Sequence, residues 1–190
     1  MKKSNLSIFL MLVMSLFISS CSTQTIALKR GFDFTQIKRV AVLSFKDPTY
    51  TQSEGSMVAE LFVKYMLDLG YNVIERDQLD AILKEKQLSE SSLVDPMTVR
   101  QLKLSGIDAI ITGTITMSVA EREYTAGGFD QFVPAQVGLT CRMIDAGTGE
   151  ILWAGSDTYD AVNTQTAFDY LTGSLVRDIS KALGENVRSK

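Results

Sequence analysis

Two carboxylates stand at a spacing that general acid–base chemistry could use. Asp145 and Glu150 flank the turn 146–149, which contains two glycines, so both groups would lie at one end of a hairpin. A simpler interpretation is that Asp145 accepts a hydrogen bond from its own backbone and closes the turn. The chain contains no histidine, which excludes His-dependent triads and HExxH-type zinc sites. We therefore predict a structural turn, a chain that is not an enzyme, and neither a cofactor nor a metal.

Two other features resemble chemical motifs without meeting their requirements. Gly127 and Gly128 are adjacent, but no Lys-Ser/Thr pair follows them, and they do not lead from a strand into a helix as a phosphate loop does. They are typical of the tip of a hairpin instead. Cys141 lies on the apolar side of an alternating segment, which predicts a buried and unreactive thiol.

The N-terminal residues predict export and a lipid anchor. Lys2 and Lys3 precede an apolar run over 6–18, which is too short to span a bilayer, and two serines follow it. A cysteine directly after these serines resembles the lipobox of bacterial lipoproteins, in which the thiol is acylated, for example with palmitate, and the chain is cut before it. We expect residues 1–20 to be a signal peptide and Cys21 to carry the lipid that holds the chain to its membrane.

The charge balance excludes some partners. The net charge is −3, and loss of Lys2 and Lys3 with the signal peptide would make it −5. An acidic chain lacks the basic footprint of a nucleic-acid-binding protein. It also gains nothing from an anionic lipid surface, so the acyl chains have to supply the membrane affinity. No motif for a small-molecule substrate is evident in the sequence. The chain has two cysteines, and because Cys21 would carry the lipid, Cys141 would have no partner for an intramolecular disulfide.

The rest of the chain first alternates strand-like and helix-like segments. Residues 21–36 are mixed and polar and are interpreted as a tether, and residues 37–190 as one folded domain. The apolar segments 40–45, 71–75 and 108–115 predict strands, and stripes with a helical spacing lie between them. Strands that are joined through helices favour parallel pairing.

After residue 116 the pattern changes to a spacing of two. Apolar residues alternate with polar ones over 136–143, and a return strand begins at 150, which predicts an antiparallel hairpin with one buried face. A last helix follows, with apolar side chains on one side from Phe168 to Ile179. The predicted fold class is α/β (mixed α+β): a single mixed β-sheet, with parallel first strands and an antiparallel C-terminal hairpin, covered by helices.

Three aromatic residues lie outside every helical stripe. Tyr124, Phe129 and Phe132 cluster in a segment between strands. One interpretation is that they fold back on the sheet. The other is that they form an interaction surface for another subunit or a partner protein, because aromatic side chains anchor interfaces.

Two elements are fairly specific when they occur together: a strand–Glu-Arg–helix element over 73–79, and a turn of the form Asp-x-x-Thr-Gly-Glu-Ile-Leu over 145–152. With the apolar segments 40–45 and 106–113, their order over residues 38–183 resembles the family of the curli secretion lipoprotein CsgG. Activator lipoproteins of penicillin-binding proteins are related, and the N-terminal domain of TolB is similar in fold. The resemblance implies a periplasmic domain, anchored in the outer membrane, with protein partners in the cell envelope and self-association.

The curli protein is a ring-forming pore whose subunits each insert two β-hairpins into the bilayer. Here one hairpin would just fit between 116 and 137, but Glu121, Arg122 and Glu123 are consecutive, so either side of the strand carries a charge. An arginine at the bilayer midplane costs about 2–4 kcal/mol. At the second location, 157–165, no hairpin fits. We therefore expect the transmembrane hairpins to be absent.

These observations predict a non-catalytic, lipid-anchored lipoprotein that acts in assembly or export at the outer membrane through protein–protein contacts. One alternative is a regulator of peptidoglycan synthesis, although the tether is short and has no proline before Pro48. The other alternative is a subunit of an oligomeric outer-membrane secretion channel.

Overall fold

The computed structural model of the chain describes residues 25–48, 53–89, 96–103 and 105–188. They form eight strands: β1 (Thr25–Leu28), β2 (Arg39–Val42), β3 (Asn72–Val73), β4 (Ala109–Val119), β5 (Arg122–Ala126), β6 (Phe129–Val133), β7 (Ala135–Asp145) and β8 (Ile151–Ala161). The α-helices are α1 (Glu54–Asp68), α2 (Arg76–Glu85), α3 (Pro96–Lys103) and α4 (Thr164–Arg188), and a 3-10 helix (Phe34–Gln36) precedes β2.

Six strands form one mixed sheet in the order β1-β8-β7-β4-β2-β3. β2 runs parallel to β3 and to β4, whereas β4, β7, β8 and β1 are antiparallel neighbours in turn. Helices lie between β2, β3 and β4 along the chain, as parallel strands require, while a tight turn is enough to join β7 to β8. The predicted fold class is confirmed.

One face of the sheet packs against α1 and α4. The largest buried side chains on this face include Phe62 of α1, Phe168 of α4 and Trp153 of β8. The Phe62 ring stacks on the ring of Phe45, with centroids 4.9 Å apart. Burial of each such side chain contributes about 1.5–3 kcal/mol, so this face holds the main core.

Helices α2 and α3 cover only part of the other face. Leu79 and Leu102 of these helices pack in a second cluster with Ala41 of β2 and Ile110 of β4. The remaining part of this face is open, and exposed threonines such as Thr114 and Thr140 lie on it. Antiparallel sheets commonly leave one face solvated in this way.

Asp108 holds the start of β2 to the start of β4. One carboxylate oxygen accepts hydrogen bonds from the N–H groups of Lys38 and Arg39, at 3.0 and 2.9 Å, and the other pairs with the ammonium group of Lys103. Burial alone would raise the pKa of Asp108, but the hydrogen bonds from Lys103 and from the two backbone N–H groups outweigh it, and the pKa is lowered.

Asp47 orders the start of α1. Its carboxylate accepts hydrogen bonds from the N–H groups of Ser53, at 3.1 Å, and of Gly55. Gly55 packs against the backbone of Phe45 so closely that a Cβ would lie 1.8 Å from the carbonyl oxygen. Only glycine fits at this contact.

Residues 21–36 were predicted to form a tether. In the structure, residues 25–36 of this segment belong to the folded body instead. β1 pairs with β8, with Thr25 opposite Ser156, and Phe34 is buried in the main core. In β1 only Ile26 and Leu28 turn toward that core, and two alternating residues are too few to predict a strand from sequence.

β8 is also longer than the segment 150–154 suggested. It continues to Ala161 because residues 157–161 pair with the first half of β7 through backbone hydrogen bonds. Tyr159 and Ala161 of this segment also pack against the main core, so side chains on one face of the strand help to hold it in register.

Candidate interaction surface

β5 and β6 form a two-stranded hairpin that is separate from the main sheet, and we call it the β5–β6 arm (residues 120–134). The arm continues from the central strands β4 and β7. These strands pair with each other as far as Val119 and Gln136, and the arm lies in the segment of chain between these two residues. Every residue from 119 to 132 is exposed. The arm therefore projects from the body instead of packing on it.

The tip of the arm is built by two glycines with left-handed backbones. Gly127 has a φ of 60° and Gly128 a φ of 81°, the combination that a two-residue turn with matching twist requires. The three aromatic side chains do not fold back on the sheet: Tyr124, Phe129 and Phe132 are 52%, 73% and 51% exposed.

The register of the hairpin separates these aromatic side chains. Tyr124 lies opposite Gln131, and Ala126 lies opposite Phe129. Because side chains alternate between the two faces of a strand, one face, called here the Tyr124 face, consists of Arg122, Tyr124, Ala126, Phe129, Gln131 and Val133. The opposite face, called the Phe132 face, consists of Glu123, Thr125, Asp130 and Phe132.

The two faces differ in charge. The Tyr124 face has no acidic residue, and its one basic residue, Arg122, is in the pair farthest from the tip. The Phe132 face carries both carboxylates of the two strands, and Thr125 donates a hydrogen bond to Asp130 at 2.8 Å. The negative charge of the two strands is therefore confined to the Phe132 face.

Asp145 and Glu150 do not form an acid–base pair. Asp145 accepts a hydrogen bond from the N–H of Thr148 at 2.6 Å and so closes the turn. Glu150 pairs with the ammonium group of Lys29, which lowers the pKa of this exposed carboxyl. The prediction of a structural turn is confirmed.

Cys141 lies on the core side of β7 and is fully buried. Its Sγ lies 3.7 Å from the carbonyl oxygen of Gly155, and burial raises the pKa of the thiol well above its ordinary value. A thiol that stays protonated is a poor nucleophile. The prediction of a buried thiol is confirmed.

The open part of the sheet carries a shallow cavity of about 150 Å³, lined by Thr112, Thr114, Thr140 and Arg142 among others. Within the ranges that the structure describes, no group of three His, Cys, Asp or Glu residues could hold a metal ion. Likewise, no helix in those ranges is both long enough and apolar enough to cross a bilayer.

The sequence singled out the three aromatic residues of the arm but not the division between its faces. Counting outward in steps of two from the Gly127–Gly128 turn would have placed Phe132 apart from Tyr124 and Phe129, and would have added Arg122 to the Tyr124 face. Cys21, the predicted lipid attachment site, lies outside the described residues.

These features define a mixed α/β domain that presents an exposed two-stranded arm. The chain belongs to the family of the curli production assembly/transport component CsgG, whose family model matches residues 22–167. None of the curated proteins that were compared matches the sequence.

Solved structures share the fold at low sequence identity. A PelC dodecamer from Paraburkholderia phytofirmans is 15% identical with a TM-score of 0.52, covering 85% of this chain and 97% of that one. Lipoprotein GNA1162 from Neisseria meningitidis is 17% identical with a TM-score of 0.50, covering 78% and 99%. The LpoB C-terminal domain from Salmonella enterica is 15% identical with a TM-score of 0.50, covering 65% and 82%. At these identities the likeness is one of fold.

Proposed function

We propose that this chain is a non-catalytic, lipid-anchored lipoprotein that acts in assembly or export at the outer membrane through protein–protein contacts. The β5–β6 arm is the observation that carries the proposal. An isolated two-stranded hairpin is marginally stable in water, and this one is exposed on both faces with three aromatic side chains. Such a surface gains most when another molecule covers it.

The family and the solved structures support this role. The family model is described as that of a curli production assembly/transport component. One fold relative is a lipoprotein, and another forms a dodecamer. By analogy we propose that the arm contacts envelope proteins, including further copies of the chain.

We propose that Cys21 is the lipidated first residue of the mature protein, that residues 1–20 are its signal peptide, and that the domain faces the periplasm. β1 starts at Thr25, so the chain from Cys21 to the folded body spans at most about 14 Å. A regulator of peptidoglycan synthesis would need a longer reach into the periplasm, which disfavours that alternative.

A second candidate function is a subunit of an oligomeric secretion channel. The confinement of both strand carboxylates to the Phe132 face favours it, because membrane-spanning hairpins alternate in polarity between their two faces, although Arg122 lies on the Tyr124 face. β5 and β6 have 5 residues each, whereas a spanning strand needs about 9–11. Single-channel conductance of the reconstituted protein in planar bilayers would establish a channel, and a silent bilayer would remove it.

Photo-cross-linking in intact cells tests the protein contacts. A photoreactive phenylalanine analogue is placed at Phe132, and in a control at Ile151, which is equally exposed (49%) but lies outside the arm. We expect defined protein adducts from position 132 that are missing from position 151. Equal labelling from both positions would contradict the proposal.

A further inference from the structure

We infer that the open part of the sheet binds a small phosphate-bearing anion between Lys46 and Arg142, above the hydroxyl groups of Thr114 and Thr140. These residues lie in the central strands or directly beside them. The inference therefore does not depend on the proposed lipid anchor or on the β5–β6 arm.

The first step is the face on which the two cationic side chains lie. Lys46 follows Phe45, whose ring packs in the main core, so the side chain of Lys46 lies on the opposite face of the sheet. Lys46 also forms a parallel bridge with Thr114 of β4, and Thr114 lies opposite Thr140 of β7. Arg142 is two residues along β7 from Thr140 and is therefore on the same face.

The second step is distance. Thr140 is two strand spacings away from Lys46, which corresponds to about 10 Å, and Arg142 is about 7 Å farther along β7. The Cα atoms of Lys46 and Arg142 are therefore about 12 Å apart. Side chains as long as those of lysine and arginine can both approach one anion from that separation. The shared position lies above Thr114 and Thr140.

The third step is charge that has no partner. Among the described residues, the side chains of Lys46 and Arg142 have neither an ion-pair nor a hydrogen-bond partner. Arg142 is also partly buried, and removing a guanidinium group from water without an acceptor is unfavourable. Among the strand residues described on this face, the nearest acidic one is Asp160, which lies opposite Gln136, about 13 Å along β7 from Thr140. An anionic ligand would supply the missing acceptor.

The fourth step is the size and chemistry of the ligand. The cavity at this place has a volume of about 150 Å³, whereas pockets for larger organic ligands have about 300–1,000 Å³. Thr112, Thr114 and Thr140 are among the residues that line it. Their hydroxyl groups, a guanidinium group and an ammonium group offer more donors than one carboxylate can accept. They suit the oxygen atoms of a phosphate group.

Isothermal titration calorimetry with inorganic phosphate tests the inference on the full-length protein in neutral detergent, at an ionic strength held constant with sodium chloride. Arg142→Gln and Lys46→Gln each remove one cation of the site. Arg30→Gln and Lys84→Gln remove the same charges from exposed positions outside it. We expect saturable binding to the unaltered protein and to both controls. Binding should be about tenfold weaker for R142Q, the usual effect of losing a charge-assisted hydrogen bond, and severalfold weaker for the exposed K46Q.

Two further measurements sharpen the assignment. Thr140→Val removes a hydroxyl group at constant charge and should weaken the binding of phosphate severalfold. Glycerol 3-phosphate that binds more tightly than inorganic phosphate would assign the site to a phosphate ester, and equal binding would assign it to the free anion. The fluorescence of Trp153, which is buried, verifies that each variant is folded.

Three results would overturn the inference. The first is the absence of saturable phosphate binding to the unaltered protein. The second is equal weakening in R30Q and K84Q, which indicates a general effect of net charge. The third is loss of self-association in R142Q, measured by sedimentation velocity, when phosphate produces no binding heat with the unaltered protein. That result would assign the open part of the sheet to a second copy of the chain.

Discussion

Thr25 lies directly opposite Ser156 in the antiparallel pair of β1 and β8. Ser156 is the middle residue of β8 (Ile151–Ala161), so this pairing ties the N-terminal end of the described chain to the middle of the sheet, five residues short of the end from which the β5–β6 arm projects. A lipid on Cys21, only four residues before Thr25, would therefore lie close to the folded body.

The arm should be dispensable for the stability of the body. Phe129 is 73% exposed, so Phe129→Ser should change the free energy of unfolding by no more than about 0.5 kcal/mol. Phe62→Ala, in the buried stack with Phe45, should lose about 3–5 kcal/mol. Urea unfolding followed by Trp153 fluorescence measures both variants. A loss of several kcal/mol for the arm variant would show that the arm packs on the body.

Gly55 should not tolerate a side chain. Gly55→Ala would gain up to about 1 kcal/mol of helix propensity, but its Cβ would lie 1.8 Å from the carbonyl oxygen of Phe45. We expect a net loss of about 1–3 kcal/mol, typical of overpacking. Ser56→Ala, at the next and exposed position, should stay within about 0.5 kcal/mol. A stabilised Gly55→Ala protein would contradict the described packing of α1.

Asp108 should make stability depend on pH in the acid range. Its folded-state pKa is lowered from 3.8, so its contribution is complete above that value and is lost as the pH falls through the lower folded-state pKa. At neutral pH, Asp108→Asn should destabilise the protein by about 1–3 kcal/mol, because hydrogen bonds to a charged acceptor are lost. Chemical unfolding at a series of pH values should show the two proteins converging below 3.8. A difference that does not change with pH would contradict the assignment.

Cys141 should react with thiol reagents only after unfolding. Its side chain is buried and the pKa of its thiol is raised, so the thiolate needed for reaction is scarce in the native state. Absorbance from a disulfide reagent should stay at baseline in buffer and rise when urea unfolds the protein. Rapid labelling of the native protein would place Cys141 outside the core.

The sequence was most informative where the chemical pattern extends over many residues. The apolar stripe of α1 and the alternation in β7 placed both elements, because burial of a whole face requires a repeated spacing. The turn closed by Asp145 and the hairpin tip at Gly127–Gly128 also followed from local chemistry.

Other features depend on partners that are distant in the sequence. Thr25–Leu28 is a strand because β8 offers a free edge, and residues 157–161 continue β8 because β7 extends beside them. In both cases the strand that provides the pairing partner lies outside the segment itself, so the segment's own residues do not predict the pairing. The two faces of the arm similarly follow from the register between β5 and β6, so three aromatic residues that looked like one cluster divide into two surfaces.

Mass spectrometry of the mature N-terminus is the most direct test of the lipid-anchored arrangement. The protein is purified from the membranes of its own host, and the N-terminal peptide is fragmented. We predict that the peptide begins at Cys21 and carries fatty acyl chains, and that Cys21→Ser removes them and releases the protein from the membrane. An intact residue 1–20 segment, or an unmodified Cys21 thiol in membrane-bound protein, would contradict the account.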